Sequence, residues 1–268
     1  MANASPLITV MMNAARIGAR SLSRDFGEVE NLQVSKKGPA DFVTAADRMA
    51  EEKIFDSLRH DRPGYGYLME ERGIVDGSDK THRFIIDPLD GTLNFMHGNP
   101  HFAISIGVER EGQLHGGVIY DIIRDEMFFA EAGQGAFLLD SRGVEKRLRM
   151  PDRTDFTASV IATGTPWYGK PGHAKFLKEL HKVMANCAGI RRFGSAALDL
   201  AWVAAGRFDG FWERGLHPWD IAAGIVIVRE ARGEVQELDT GAPDPLNSGN
   251  LVCASTTLMP QLLKHLSV

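Results

Sequence analysis

Apolar residues recur at helical spacing near the start of the chain. Leu7, Ile8, Met11, Ala14, Ala15, Gly18 and Leu22 fall on one face and predict an amphipathic helix over 6–24. Ser5-Pro6 is a suitable start, because proline in the first turn gives up an N–H that has no partner there anyway. The stretch 35-SKKGPADFVTAADRMAEEKIFDSLRH-60 passes from a Gly-Pro loop into a second helix, with Thr44 as N-cap and Asp47 in its first turn. The pattern then turns to strands. Phe84–Ile86 reads as a short buried strand. After it come 102-FAISIGV-108, 114-LHGGVIYD-121, 126-EMFFA-130 and 136-AFLLD-140, separated by turns such as Glu111-Gly112 and Gly133-Gln134-Gly135. Short strands with short turns predict an antiparallel meander.

Beyond about residue 150 the strands 159-SVIAT-163 and 208-FDGFW-212 alternate with helical patterns near 174–185, 195–206, 220–232 and 256–266. That alternation is α/β in style. No repeat or disordered linker marks the change. The expectation is one compact unit over 1–268, with an N-terminal α+β lobe to about 148, a C-terminal α/β lobe from about 149, and a site at their junction.

Composition narrows the function. The chain has 268 residues, enough to bury a sizeable core, and a formal net charge of −5. Bulk electrostatics therefore give no sign of nucleic-acid binding. The basic clusters 190-IRRF-193 and 146-KRLR-149 are short and read as solvated faces. The two cysteines, Cys187 and Cys253, have no metal-like spacing and lie among apolar residues, as expected in a reducing compartment. The N-terminus lacks a basic start, and Asn13 and Arg16 interrupt its apolar run, so no signal peptide is expected. No run reaches the roughly 18 apolar residues of a membrane span. The expected setting is the cytoplasm.

The chemistry is concentrated in carboxylates. In 84-FIIDPLDGTLNF-95, Asp87 and Asp90 stand close together at a strand end, and unpaired like charges there are costly. Pro88 and Gly91 make the turn rigid, so that both acids and the Leu89 carbonyl can aim at one point. Two carboxylates and a carbonyl form a hard oxygen site of the kind Mg²⁺ prefers. The amides of Gly91 and Thr92 can open a helix and favour an anion such as phosphate. An Asp-rich turn that merely caps a helix is the plain alternative. Glu70 and Glu71 follow GYGYLM as a strand-end acid pair or an exposed loop pair. Asp220, between Trp219 and the apolar run IAAGIVIV, is a helix cap, a ligand or both. Glu213 ends another apolar strand, and His217 reads as a structural histidine. Neither a G-x-S-x-G elbow nor a phosphate-binding P-loop is present. The remaining chemistry is metal-activated water attacking a phosphate, with Asp47, near Thr44, as a proton acceptor.

Taken together, these segments resemble the inositol monophosphatase family of Mg²⁺-dependent, lithium-sensitive phosphatases. The resemblance covers nearly the whole chain. It is carried by 84-FIIDPLDGTLNF-95, 217-HPWDIAAGIVIVREARG-233, 41-DFVTAAD-47, the Glu70-Glu71 pair and 194-GSAALDL-200. It implies a layered α-β-α-β-α sandwich, a homodimer and two to three Mg²⁺ ions. By the same resemblance Glu70, Asp87 and the Leu89 carbonyl hold a first ion, and Asp87, Asp90 and Asp220 a second. Thr92 with Asp47 polarises the water, and Glu70 helps place a weaker third ion. The amides of Gly91 and Thr92 bind phosphate. Asp90, Gly194, Ser195, Ala196, Glu213 and Asp220 face the substrate, and Lys36 matches a loop lysine. The implied reaction is hydrolysis of myo-inositol 1-phosphate. Relatives act on fructose 1,6-bisphosphate, histidinol phosphate, 3′-phosphoadenosine 5′-phosphate or NADP, and some bacterial members have roles in RNA-related processes. Phe84 replaces the usual Trp, Leu93 a usual Thr, and 164-GTP-166 a Gly-Phe-Pro segment. None of these changes removes a ligand.

Overall fold

The computed structural model describes residues 3–26, 34–38 and 41–267, with backbone alone for the strands between 34 and 44. Helix α1 (Pro6–Phe26) begins where the sequence places it, with the Ser5 hydroxyl accepting the Ile8 N–H at 3.2 Å. Its apolar face, including Ile8, Met11, Ala15 and Leu22, is buried. Helix α2 (Ala45–Asp61) starts directly after Thr44. The segment before it departs from the expected loop. It forms two antiparallel strands, β1 (Val34–Gly38) and β2 (Asp41–Thr44). Pairing gives these backbone groups partners, a gain that local composition does not reveal. Lys36 falls on β1, and its side chain lies outside the described part.

The predicted meander is present and larger than expected. Strands β3 (Gly66–Met69), β4 (Gly73–Val75), β5 (His82–Asp90), β6 (Ala103–Arg110), β7 (Gln113–Asp121), β8 (Glu126–Glu131), β9 (Gly135–Leu139) and β10 (Glu145–Leu148) form one sheet in the order β10-β9-β8-β7-β6-β5-β3-β4. All neighbours are antiparallel except β3 and β5. The β6–β7 turn uses Glu111 and Gly112 at φ 52° and 74°, the left-handed pair that suits a two-residue hairpin. A short helix, α3 (Thr92–Met96), follows β5.

The second half builds another sheet from β11 (Val160–Thr163), β12 (Gly189–Arg191), β13 (Gly210–Glu213), β14 (Glu234–Glu237) and β15 (Leu251–Ala254), in the order β12-β11-β13-β15-β14. Strands β12, β14 and β15 are only three or four residues long, too short for a clear period of two. Helices α4 (His173–Met184), α5 (Ala196–Ala204), α6 (Pro218–Glu230) and α7 (Met259–Leu266) match the predicted helical stretches within a few residues.

Three apolar cores order the layers. Helices α1 and α2 pack on one face of the large sheet through Met11, Ile54, Phe84, Ile86 and Val118. Its other face, through Ile85, Ile119 and Phe128, packs on α5 and α6, which also touch the small sheet at Phe211 and Cys253. Beyond that sheet lie α4 and α7, around Trp212, Val183 and Leu262. The result is an α-β-α-β-α sandwich. Adjacent residues of β5 face different cores, as a strand buried on both sides requires. Helix α6 comes very near β7. A Cβ on Gly117 would lie 2.5 Å from the Ala223 carbonyl oxygen, so glycine sets the height at which α6 rests.

Candidate active site

The acidic turn is built by a bulge in β5. Along a regular strand, Asp87 and Asp90, three apart, point to opposite faces. Here Asp87 pairs with Ser105 and Asp90 with Ala103, so two residues of β5 face one of β6 and the register shifts. Ser105 and Ala103 share a face, and their partners are brought onto one side. Pro88 has no ladder donor to lose at this position. The Leu89 N–H donates to Asp87 Oδ1 at 2.8 Å and locks the turn.

Two helix starts converge on this turn. Ser195 is the N-cap of α5, and its hydroxyl donates to Asp90 Oδ2. The Ala197 N–H donates to the same oxygen at 2.9 Å, so the positive end of α5 faces the carboxylate. Asp220 is the third residue of α6, and its Oδ2 accepts the His217 N–H at 2.7 Å. The Ser105 hydroxyl donates to the Trp219 carbonyl at 3.1 Å, which ties this helix start to β6 beside Asp87. Asp220 is thus both a cap and a member of the acid group.

Asp87, Asp90 and Asp220 each offer a carboxylate oxygen within 4.8 Å of the others. In each, one oxygen is anchored by a backbone N–H, leaving a second to offer. The electrostatics show the cost. Burial raises the Asp87 carboxyl well above the usual range, and the charges of Glu70, Asp90 and Asp220 add to it. Burial and then Asp90 do the same to Asp220. Asp90 is pushed up to about 6 by burial, held back by its bonds from Ser195 and the α5 amides. An all-oxygen, mutually repelling, anchored trio suits a hard divalent cation.

Glu70 follows β3, half-buried, outside the tight trio but close enough for its charge to act on Asp87 and Asp220. The Glu71 carboxylate lies 3.9 Å from Arg48 Nε, and the Glu71 N–H donates to Glu51 Oε2 at 2.8 Å. The Thr92 hydroxyl lies 3.1 Å from Asp47 Oδ1 and 3.0 Å from the Leu89 carbonyl oxygen, and Asp47 is buried. Gly91 caps α3 in the left-handed region at φ 94°. The structure therefore brings Asp47, Leu89, Gly91, Thr92, Gly194, Ser195 and Ala196 around the trio. His217 stacks on Trp219 at 4.8 Å and is not among the clustered acids.

Glu213 ends β13, where burial pushes its carboxyl up to about 8, with Arg192 pulling it down and Asp90 raising it further. Two neighbours were not singled out from the sequence. The Asn94 amide reaches the carbonyls of His101 at 2.8 Å and Phe193 at 2.7 Å, which ties α3 to the loop before α5. It stands inside the quoted motif. Asp199 is a buried acid whose Oδ1 has no hydrogen-bond partner, raised by burial, then by Glu213 and Asp90. A lone acid in the apolar run AALDLAWVA was the available signal.

Known proteins match the chain over nearly its whole length. The model of the family described as "Inositol monophosphatase family" matches residues 3–267. An inositol-1-monophosphatase of Caulobacter vibrioides is 54% identical over 257 residues, 96% of this chain and 99% of that one. Escherichia coli K12 has a relative named Nus factor SuhB, 40% identical over 261 residues, 97% of this chain and 96% of that one. The crystal structure of the extragenic suppressor protein suhB from Bartonella henselae superposes with a TM-score of 0.93 at 51% identity, covering 98% of this chain and 99% of that one.

Proposed function

The chain belongs to the inositol monophosphatase family, and from that premise we propose that it hydrolyses myo-inositol 1-phosphate to myo-inositol and phosphate with Mg²⁺ held by its carboxylates. The observation that carries this reading is the anchored trio of Asp87, Asp90 and Asp220 within 4.8 Å. The trio, the Leu89 carbonyl and Glu70 are the residues that would hold the ions, two to three in number. Mg²⁺ there supplies an acidified water and neutralises charge on the phosphate.

The chain's own groups do the rest. Thr92 accepts a proton from the attacking water as its own hydroxyl proton passes toward Asp47, 3.1 Å away. The amides of Gly91 and Thr92 donate to phosphate oxygens at the start of α3. Ser195 and Ala197 hold Asp90 in place. Gly194, Ser195 and Ala196 border the alcohol part of the substrate, and Glu213 bonds its hydroxyls. The working form is a lithium-sensitive homodimer in the cytoplasm. Among the described residues, no helix is long and apolar enough to cross a membrane.

The direct test is phosphate release from myo-inositol 1-phosphate with Mg²⁺, with EDTA, and with Mg²⁺ plus lithium. The expected result is turnover that needs Mg²⁺ and falls with lithium. Negligible release would move the activity to another small phosphate ester.

Gly164 gives a sharper test of Glu213. A Cβ there would lie 1.8 Å from the Glu213 carboxyl carbon, so Gly164→Ala must displace that side chain. Loss of a hydrogen bond to the polyol costs about 0.5–1.5 kcal/mol, or roughly 2- to 12-fold in kcat/KM. An unchanged kcat/KM would remove Glu213 from the substrate site.

The relatives named Nus factor SuhB support a second role apart from catalysis. It is tested by whether a catalytically dead variant rescues a deletion strain.

A further inference from the structure

Helix α2 carries a second buried carboxylate besides Asp47. Glu51 is 2% exposed and lies one turn along the helix from Asp47, so both acids share the face turned into the fold. Burial raises the Glu51 carboxyl, and bonds from the backbone of Glu71 and Arg72 pull it back. Burying an acid is costly, so what Glu51 contributes lies in the bonds it accepts rather than in packing.

Those bonds fall on the turn that bears Glu70. Strand β3 ends at Met69 and β4 starts at Gly73. The Glu70 N–H still donates to the Ile86 carbonyl of β5 at 3.2 Å. The next N–H, of Glu71, leaves the sheet and donates to Glu51 Oε2 at 2.8 Å. Two other links join this turn to α2. The Arg72 guanidinium lies over the Phe55 ring, 4.4 Å from its centroid, and the Glu71 carboxylate faces Arg48 at 3.9 Å. The Arg48 side chain is 63% exposed, so water screens that pair and it contributes little. Glu51 is the buried anchor, and it holds the peptide joined directly to Glu70. Fixing that peptide fixes the backbone from which the Glu70 charge acts on Asp87 and Asp220. One turn away, Asp47 receives the Thr92 hydroxyl at 3.1 Å.

We propose that Glu51 is a positioning residue for the metal site: it ties the Glu70 backbone to α2, so that Glu70 and the Thr92–Asp47 pair keep their spacing when Mg²⁺ binds. The proposal rests on the phosphatase reading. What counts is the acceptor oxygen and not the charge, because a neutral oxygen in the same place also receives the Glu71 N–H.

The test follows melting temperature against Mg²⁺ concentration in the wild type, Glu51→Gln, Glu51→Asp, Glu51→Ala and Leu58→Ala. The rise with Mg²⁺ gives its Kd, and the EDTA point gives the stability of the fold alone. Gln keeps an oxygen within reach of the Glu71 N–H. Asp keeps the charge but is one methylene too short. Loss of a group that holds a metal ligand weakens binding about 10-fold or more, so Glu51→Ala and Glu51→Asp raise the Mg²⁺ Kd by that factor, while Glu51→Gln stays within about threefold. Leu58→Ala, in the buried core of the same helix, lowers the melting temperature in EDTA and leaves the Kd unchanged. That contrast separates positioning from mere support of the fold. If Glu51→Ala does not fold, Glu51→Asp against Glu51→Gln decides. An unchanged Kd in Glu51→Asp, a Kd raised as much in Glu51→Gln, or one raised as much in Leu58→Ala overturns the proposal and leaves the metal reading standing. A wild type whose melting temperature ignores Mg²⁺ overturns both.

Discussion

Asp87→Asn will cut Mg²⁺-dependent hydrolysis of myo-inositol 1-phosphate by at least about 10³-fold, some 4 kcal/mol in the barrier. The same change will raise the melting temperature of the EDTA-treated protein. Asparagine keeps an oxygen for the Leu89 N–H that now goes to Asp87 Oδ1, so the turn survives. What disappears is a charge that burial and three nearby acids make costly. At pH 8 without metal, relief of about 1 kcal/mol corresponds to a gain of about 3 °C for a chain of this size. A loss of activity with lower stability would mean that Asp87 serves the fold rather than the ion. Activity within tenfold of wild type would remove it from the metal site. The same variant, expressed in a deletion strain, separates catalysis from any second role.

Stability will depend on pH and Mg²⁺ together. The folded carboxyls of Asp87, Asp90, Asp220 and Glu213 all lie above their ordinary values. The folded protein therefore binds more protons than the unfolded chain across this range, and their contribution is lost as pH rises through the folded values. Asp90, pushed up to about 6 chiefly by burial, contributes in this sense. His101, lowered to about 4 by burial, then by Arg124, acts in the opposite sense between pH 4 and its ordinary value. The informative quantity is thus the difference between Mg²⁺-loaded and EDTA-treated protein, in which His101 cancels. That difference widens from pH 5 to pH 8, to about 2.7 kcal/mol where Mg²⁺ stands at a hundred times its Kd. Thermal unfolding at each pH measures it. A difference that stays flat or narrows would show that no cation binds where the acids repel.

Much of this protein is legible along the chain. The helical period of Leu7 to Leu22 forms α1 because it buries one face, and the short strands and turns after Phe102 form the meander, whose two faces both pack on helices. The motif around Asp87 marks the candidate site, and its Pro and Gly mark a turn. The short strands β12, β14 and β15 were not legible, since three or four residues carry too little periodicity. The pairing of β1 with β2 was hidden because composition alone reads Gly-Pro as a loop.

The sequence by itself determined which carboxylates this protein has and how its helices and long strands are patterned. Only the tertiary structure decided that the acids meet. The bulge between Asp87 and Asp90 cancels their odd spacing. The starts of α5 and α6 then bring Ser195 and Asp220 to them from more than a hundred residues away along the chain. The physical reason is that pairing register and helix placement depend on contacts between distant segments, such as Gly117 under Ala223, which no local pattern encodes.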